Sequence, residues 1–140
     1  MAAPIPLQAL SSTLVVELDA EAAVISRVLG DVLIQLTEHV VDGSTMMLGQ
    51  GYLASDFPLT VNVLADQAPA RVWTRDPGAD PHEKRLLGQL GYEGLLMLPL
   101  VVDDVCWGLI EVYRRAGAFS AEELESAERL IADAAAPAAA

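Results

Sequence analysis

The sequence contains very little cysteine and few basic residues. Cys106 is the only cysteine among 140 residues, so the chain cannot form an internal disulfide, as expected in a reducing compartment. Lysine and arginine number 8 against 20 acidic residues, which gives a formal net charge of −12. A charge of that sign repels nucleic-acid phosphates and anionic lipid headgroups. We therefore expect neither nucleic acid nor a membrane surface as a partner.

Long apolar runs and a basic leader are also missing. The longest unbroken apolar run, Gly94 to Val102, is far shorter than the ~20 residues that a membrane helix requires. The opening "MAAPIPLQAL" has no positive charge before its apolar residues, unlike a secretory signal. With 53% apolar and 20% charged residues, the chain has a globular composition and the length of one domain. We expect a cytoplasmic protein.

The sequence does contain a succession of helix and strand patterns. Leucines recur at helical spacing and predict an amphipathic helix over residues 7–18. Residues 22–41 predict two strands joined by a tight glycine turn. In the second strand polar and apolar residues alternate, which predicts a single polar face formed by Gln35, Thr37 and His39.

The middle of the chain predicts two short helices with a strand between them. Ser55 or Asp56 is a good N-cap for a helix that begins at the following proline and extends to about residue 65. Residues 70–75 predict a third strand. The segment "HEKRLLGQL" predicts a helix that ends at Gly91, a plausible left-handed cap.

The last third predicts a second hairpin and a terminal helix. Residues 95–102 show no alternation, so this strand should be covered on both faces. Ser120 and Glu123 form a capping box ahead of the last helix, and residues 135–140 form an alanine-rich tail or linker. The element order predicts an α+β fold with a largely antiparallel sheet.

The segment "LGYEGLLMLPLVVDDVCWGLIEVYRR", followed by "FSAEELESAERLI", resembles the GAF domain family. Residues 1–6 would precede the GAF-like domain, which would cover residues 7–134. The resemblance implies that the N- and C-terminal helices lie on one face of the sheet. Short helices and loops on the other face would form a pocket for a small molecule. It further implies that the terminal helices pair in a homodimer and pass signals to an output domain or partner protein.

The segment "LASDFP" (residues 53–58) is similar to the phytochrome pocket motif Pro-Ala-Ser-Asp-Ile-Pro and matches it at four of six positions. In phytochromes that aspartate, here Asp56, helps to organise polar groups around the tetrapyrrole. His82 is similar to a phytochrome pocket histidine but precedes Gly91 by nine residues, one more than in that pattern. No cysteine stands beside His82, where plant-type phytochromes carry the covalent bilin attachment, so thioether attachment is excluded.

Catalytic and metal chemistries find little support. Family members that reduce free methionine sulfoxide use several cysteines, and this chain has one. His39, His82 and Cys106 show no metal-ligand spacing. There is no glycine-rich phosphate loop, no nucleophile elbow and no Asn-Lys-x-Asp-Glu motif of the cyclic-nucleotide GAF domains. We therefore expect a domain without enzymatic activity, and the sequence identifies no cofactor.

Candidate pocket residues are polar or aromatic side chains near the predicted loops. Glu111 interrupts an apolar strand on the predicted face of Trp107, Leu109 and Tyr113, so it is either a paired buried acid or a polar group facing the pocket. The alternatives are a helix cap for the serine and aspartate, an exposed position for the histidine and core packing for the aromatics. The candidate ligand-binding residues are Tyr52, Ser55, Asp56, Trp73, His82, Tyr92, Met97 and Glu111.

Three functional hypotheses follow. The first is a sensory or regulatory domain that binds a small molecule and changes how its terminal helices pack. The second is a ligand-free dimerisation or protein-interaction module, in which Phe57, Trp73 and Met97 close the pocket. The third is a haem or tetrapyrrole sensor, for which a lone histidine is the main evidence.

Overall fold

The computed structural model describes residues 5–46 and 50–135. Within these ranges the chain forms four helices and six strands. In order they are α1 (Leu7–Glu17), β1 (Ala22–Leu29), β2 (Val32–Val40), β3 (Gly51–Leu53), α2 (Pro58–Asp66), β4 (Ala70–Trp73), α3 (Pro81–Leu90), β5 (Gly94–Val102), β6 (Val105–Arg114) and α4 (Ala121–Ala135). A single 3₁₀ turn, Ala54–Asp56, lies between β3 and α2. Within the described ranges, no helix has the length and apolarity needed to cross a membrane.

The strands form one sheet in the order β3-β2-β1-β6-β5-β4, and every neighbouring pair is antiparallel. The predicted α+β class is therefore confirmed. The sequence did not predict β3, because a three-residue strand is too short to show an alternating pattern. β3 pairs with the start of β2 and forms one edge of the sheet.

Helices cover both faces of the sheet. On one face, Leu14 of α1 and Ile131 of α4 pack in a common core with Ile25 of β1. On the other face, Val63 of α2 and Leu87 of α3 belong to a second core against the sheet. β5 supplies residues to both cores, as its unbroken apolar sequence predicts. The two terminal helices thus lie on the same side, in agreement with the GAF-like layout.

Helix caps agree with the sequence at α3 and α4 but not at α2. Gly91 ends α3 in the left-handed conformation, with φ at 83°. The capping box forms before α4, where the Glu123 amide donates to Ser120 Oγ at 3.0 Å. At α2 the N-cap is Phe57, and it makes no side-chain capping bond. The prediction that Ser55 or Asp56 caps α2 is therefore wrong. The 3₁₀ turn places both residues ahead of the cap position.

Two β-bulges change which face of the sheet certain side chains occupy. Ile25 of β1 pairs with Thr37, and the next residue pairs with Gln35, so Leu36 is an extra residue in β2. Gln35 consequently lies on the α3 side of the sheet, whereas Thr37 shares a 3.0 Å hydrogen bond with Ser11 of α1. The predicted single polar face is split between the two sides.

The second bulge lies in β6. Leu100 pairs with Gly108 and Val101 pairs with Cys106, which leaves Trp107 as the extra residue. Trp107 packs against the core that contains the terminal helices, so it does not share the face of Glu111 as alternation predicted. An inserted residue reverses the alternation beyond it, because the side-chain period of a strand is two.

Candidate functional site

A cavity of about 140 Å³ lies between the sheet and the two short helices. β2, β3 and β6 form one wall, and α2 and α3 form the opposite wall. The volume is close to that of the ~150 Å³ protein cavities that hold one benzene molecule. The residues that line it are Gln35, Met46, Gln50, Gly51, Tyr52, Phe57, Thr60, Glu83, Leu86, Leu90, Glu111 and Tyr113.

Glu111 is the buried polar centre of the sheet wall. One carboxyl oxygen accepts a hydrogen bond from the Tyr52 hydroxyl at 3.2 Å, and the other accepts one from the Tyr113 hydroxyl at 3.1 Å. Burial raises the pKa of Glu111 above its ordinary value, while the two tyrosine hydroxyls oppose that rise. Desolvation and the nearby Glu111 carboxyl raise the pKa of both tyrosines, so their hydroxyls remain donors at neutral pH.

Glu83 supplies a second carboxyl from the opposite wall. Its side chain belongs to the first turn of α3 and the residue is only 2% exposed. Burial, Glu111 and then Asp80 raise the pKa of Glu83 from 4.5 to about 7. No hydrogen bond or ion pair joins the Glu83 carboxyl to another residue in the described part of the chain. At neutral pH this carboxyl is therefore close to the midpoint of its titration.

Glu83 is not among the residues predicted from the sequence, because it stands in the charged segment "HEKR". A usable signal was present. Leu86, Leu87 and Leu90 follow Glu83 by three, four and seven residues, which is the spacing of one helix face. Leu87 is buried, and the other two leucines line the cavity. A glutamate in register with such a stripe points inward with the leucines.

Aromatic side chains form the rim of the cavity near the start of α2. The Phe57 ring meets Tyr52 edge-on at a centroid distance of 5.3 Å and His82 at 5.0 Å. Behind Tyr52, the Ser26 hydroxyl is fully buried and makes no hydrogen bond of standard geometry. Burial raises the pKa of the Tyr52 hydroxyl, and the interaction with Ser26 lowers it slightly.

Two of the eight candidate residues, Tyr52 and Glu111, line the cavity directly. Three others support its wall from behind. Met97 is fully buried and accepts a 3.7 Å hydrogen bond from Thr60, Tyr92 packs on Tyr113 at 5.3 Å, and His82 contacts the Phe57 ring.

The remaining three candidates lie elsewhere in the structure. Ser55 and Asp56 are exposed, and the Ser55 hydroxyl donates to Asp31 of the β1–β2 turn at 2.6 Å. Trp73 lies at a separate groove beside Arg71 and Phe119. The structure therefore brings Tyr52 and Glu111 together and sets Ser55, Asp56 and Trp73 apart from them.

Metal ligation finds no geometric support in the part of the chain that is described. No three His, Cys, Asp or Glu side chains there are grouped so that they could hold an ion. Cys106 is half-buried, with its thiol 3.6 Å from the Gly108 carbonyl. Burial raises the pKa of this thiol, which keeps it in the protonated, poorly nucleophilic form.

An antiparallel sheet with the terminal helices on one side and a cavity under short helices on the other defines a class of small α+β domains. The chain matches the GAF domain family over residues 7–138 and belongs to that family. GAF domains are generally sensory modules. No curated protein matches the chain.

Several solved structures share the fold. The phycocyanobilin-bound GAF domain from a cyanobacterial phytochrome has a TM-score of 0.78 and 19% identity, covering 91% of this chain and 79% of that chain. The chromophore-binding domain of Stigmatella aurantiaca phytochrome P1 has a TM-score of 0.75 and 19% identity. That match covers 95% of this chain but 53% of the phytochrome chain, so this chain spans about half its length.

A GAF domain of a two-component sensor histidine kinase from Bacillus halodurans is also similar. Its TM-score is 0.72 at 16% identity, and the match covers 94% of this chain and 92% of that chain. At identities this low the likeness shows the fold alone. What the cavity binds has to be argued from the residues of this chain.

Proposed function

We propose that this GAF domain is a non-catalytic sensory or regulatory module that binds a small molecule in the cavity and signals through α1 and α4. The observation that carries the proposal is the cavity itself, with the buried Glu111 carboxyl held by two tyrosine hydroxyls in its wall. Buried polar groups converging on an otherwise apolar cavity are typical of small-molecule sites.

Strand β6 connects the cavity to the terminal helices. Glu111 and Tyr113 face the cavity, and Arg114, the next residue, lies on the opposite face of the sheet. The Arg114 guanidinium donates to the Leu18 carbonyl at the end of α1 and to the Glu123 carboxylate in the first turn of α4. A ligand that alters the hydrogen bonds of Glu111 would therefore act on a strand that holds both helices, which is a physical route for coupling.

The rival interaction module requires a filled pocket. Phe57 lines the cavity, but Trp73 lies outside it and Met97 is buried behind Thr60. Space therefore remains for a ligand, which favours sensing. Pairing of two copies through α1 and α4 is compatible with the sensory proposal, because both helices have solvent-facing residues and Val16 of α1 is 72% exposed.

A tetrapyrrole fits this cavity poorly. A linear or cyclic tetrapyrrole is far larger than a benzene-sized space and carries propionate carboxylates. The lining residues that the structure describes include two buried carboxyls and neither lysine nor arginine. Propionates would be repelled there rather than paired. We therefore propose a smaller ligand and assign no role to haem or bilin.

Native mass spectrometry of freshly purified protein tests binding, since it reports a retained small molecule and the oligomeric state together. Hydrogen exchange before and after ligand removal tests signalling. We expect amide protection in α1 and α4 to change. Arg114→Met should retain the ligand but lose that change. Arg75→Met is the matched control, because it removes a surface Arg–Glu pair of 3.2 Å. A retained ligand with unchanged protection in α1 and α4 of the unmutated protein would contradict the signalling role.

A further inference from the structure

The ionisable carboxyl groups around the cavity make its charge negative. Glu83 and Glu111 approach it from opposite walls, and Asp80 acts on Glu83 from the N-cap of α3. Among the described residues, neither lysine nor arginine lines the cavity. The interior of the cavity is therefore arranged for hydrogen-bond donors and positive charge, and it disfavours anions.

The two carboxyls differ in how well they are satisfied. Both oxygens of Glu111 already accept hydrogen bonds from tyrosine hydroxyls. Glu83 is also buried, at 2% exposure against 7% for Glu111, but its carboxyl has no hydrogen-bond or ion-pair partner among the described residues. An unpaired carboxyl in a low-dielectric wall is costly unless it is protonated or meets a cation. The carboxyl that still lacks a partner, and that a ligand could pair with, is therefore that of Glu83.

Three apolar side chains of the lining are suited to contact an apolar body. Leu86 and Leu90 extend from Glu83 along the same face of α3, and Phe57 contributes an aromatic ring from the start of α2. Aromatic faces attract cations as well as apolar groups. A volume of about 140 Å³ admits a single ring or a short aliphatic chain.

From this arrangement we infer that the cavity binds a small organic cation, a primary amine whose ammonium group contacts Glu83 and whose apolar body packs against Phe57, Leu86 and Leu90. The inference rests on the proposed small-molecule function and adds the chemical class of the ligand. Glu83 acts as the residue that selects charge, because an ammonium–carboxylate hydrogen bond is stronger than one between neutral groups.

Three probes of nearly equal size separate charge from shape: benzylamine, benzyl alcohol and benzoate. Isothermal titration calorimetry of the full chain at pH 8 should give benzylamine a dissociation constant at least about tenfold lower than that of benzyl alcohol, since charged hydrogen bonds are roughly twice as strong as neutral ones. Benzoate should show no binding.

Matched variants test the role of Glu83. In Glu83→Gln the affinity for benzylamine should fall to within about threefold of that for benzyl alcohol, because the charge is removed and the shape is kept. Glu125→Gln makes the same chemical change at an exposed position of α4 and should leave all three affinities unchanged. Benzyl alcohol binding reports that the cavity of each variant is still formed.

The pH dependence gives an independent measure. Glu83 faces Glu111, Tyr52 and Tyr113 from the sheet and Asp80 from its own helix. Raised pKa values keep both tyrosines protonated. The pKa of Glu111 is also raised, and ionisation of Glu111 would favour a bound cation as ionisation of Glu83 does. Because Glu83 ionises around pH 7, benzylamine affinity should rise about tenfold from pH 6 to pH 8. Benzyl alcohol affinity should not rise.

Each contrary result has a distinct meaning. If benzyl alcohol or benzoate binds as tightly as benzylamine, the inference of a cation is overturned while the small-molecule function stands. If Glu83→Gln keeps the preference for benzylamine, Glu83 does not select charge and the inference fails. If none of the probes binds at millimolar concentration, this inference is overturned. The retained-ligand measurement then decides the proposed function separately.

Discussion

Replacement of Glu83 by glutamine should change how the stability of this domain depends on pH. Burial and the neighbouring carboxyls raise the pKa of Glu83 in the folded state from 4.5 to about 7. Between these values the folded protein binds more protons than the unfolded chain. The free energy of unfolding must therefore fall as pH rises through this window.

The size of the effect follows from the shift in pKa. One pKa unit corresponds to about 1.4 kcal/mol, so the full rise corresponds to about 3 kcal/mol lost at pH values above 7. At pH 5 part of that loss has already occurred, because an unfolded glutamate is then mostly ionised. From pH 5 to pH 8, the unmutated protein should lose about 2 to 3 kcal/mol more than Glu83→Gln does.

Urea unfolding of both proteins at the two pH values measures this difference. Glu111 has a raised pKa as well, so a decline of the same sign should remain in the variant. The hydrogen bond from Arg114 lowers the pKa of Glu123 and outweighs the opposing effect of burial. The stability that Glu123 contributes is therefore lost only as the pH falls below about 4.5. Glu125→Gln is the exposed control. If the free energies of unfolding of Glu83→Gln and the unmutated protein differed by the same amount at pH 5 and at pH 8, the reasoning would be refuted.

Two further substitutions test local features of the fold by urea or thermal unfolding. Ser55→Ala removes a 2.6 Å hydrogen bond to the β1–β2 turn and should cost about 1 kcal/mol, whereas Asp56→Ala should stay within about 0.5 kcal/mol because it caps no helix. If Asp56→Ala lost more stability than Ser55→Ala, Asp56 would cap the helix after all. Gly108→Ala should cost at least about 2 kcal/mol, since a Cβ there would lie 2.5 Å from the Ser26 carbonyl. Gly88→Ala, where a Cβ meets nothing within 4 Å, should instead stabilise α3 by about 0.5 to 1 kcal/mol. Similar losses in both glycine variants would contradict the packing argument.

Much of the fold was predictable because its signals are local. The leucine spacing of α1, the left-handed Gly91 after α3 and the capping box before α4 depend on residues within a few positions of one another. The unbroken apolar sequence of β5 predicted a strand covered on both sides, and helices do cover both faces. Together with the spacing of the later motifs, these features were sufficient to identify the resemblance to GAF domains.

The site was less predictable, because it depends on distant residues and on strand register. Ser55 lies where a cap would be expected, but it bonds to Asp31, which is 24 positions away in sequence. The bulges at Leu36 and Trp107 come from strand pairing, and each reverses the faces of the residues beyond it. No local pattern in a single strand contains that information.

The sequence by itself determined the order of the elements, the two-sided burial of β5 and a glutamate, Glu111, within an apolar strand. Only the tertiary structure decided that Tyr52 and Tyr113 satisfy Glu111 and that Glu83 faces the same cavity from α3. The physical reason is that helix and strand periods are set by neighbours along the chain. The burial and charge of a carboxyl are set by whatever the fold brings against it.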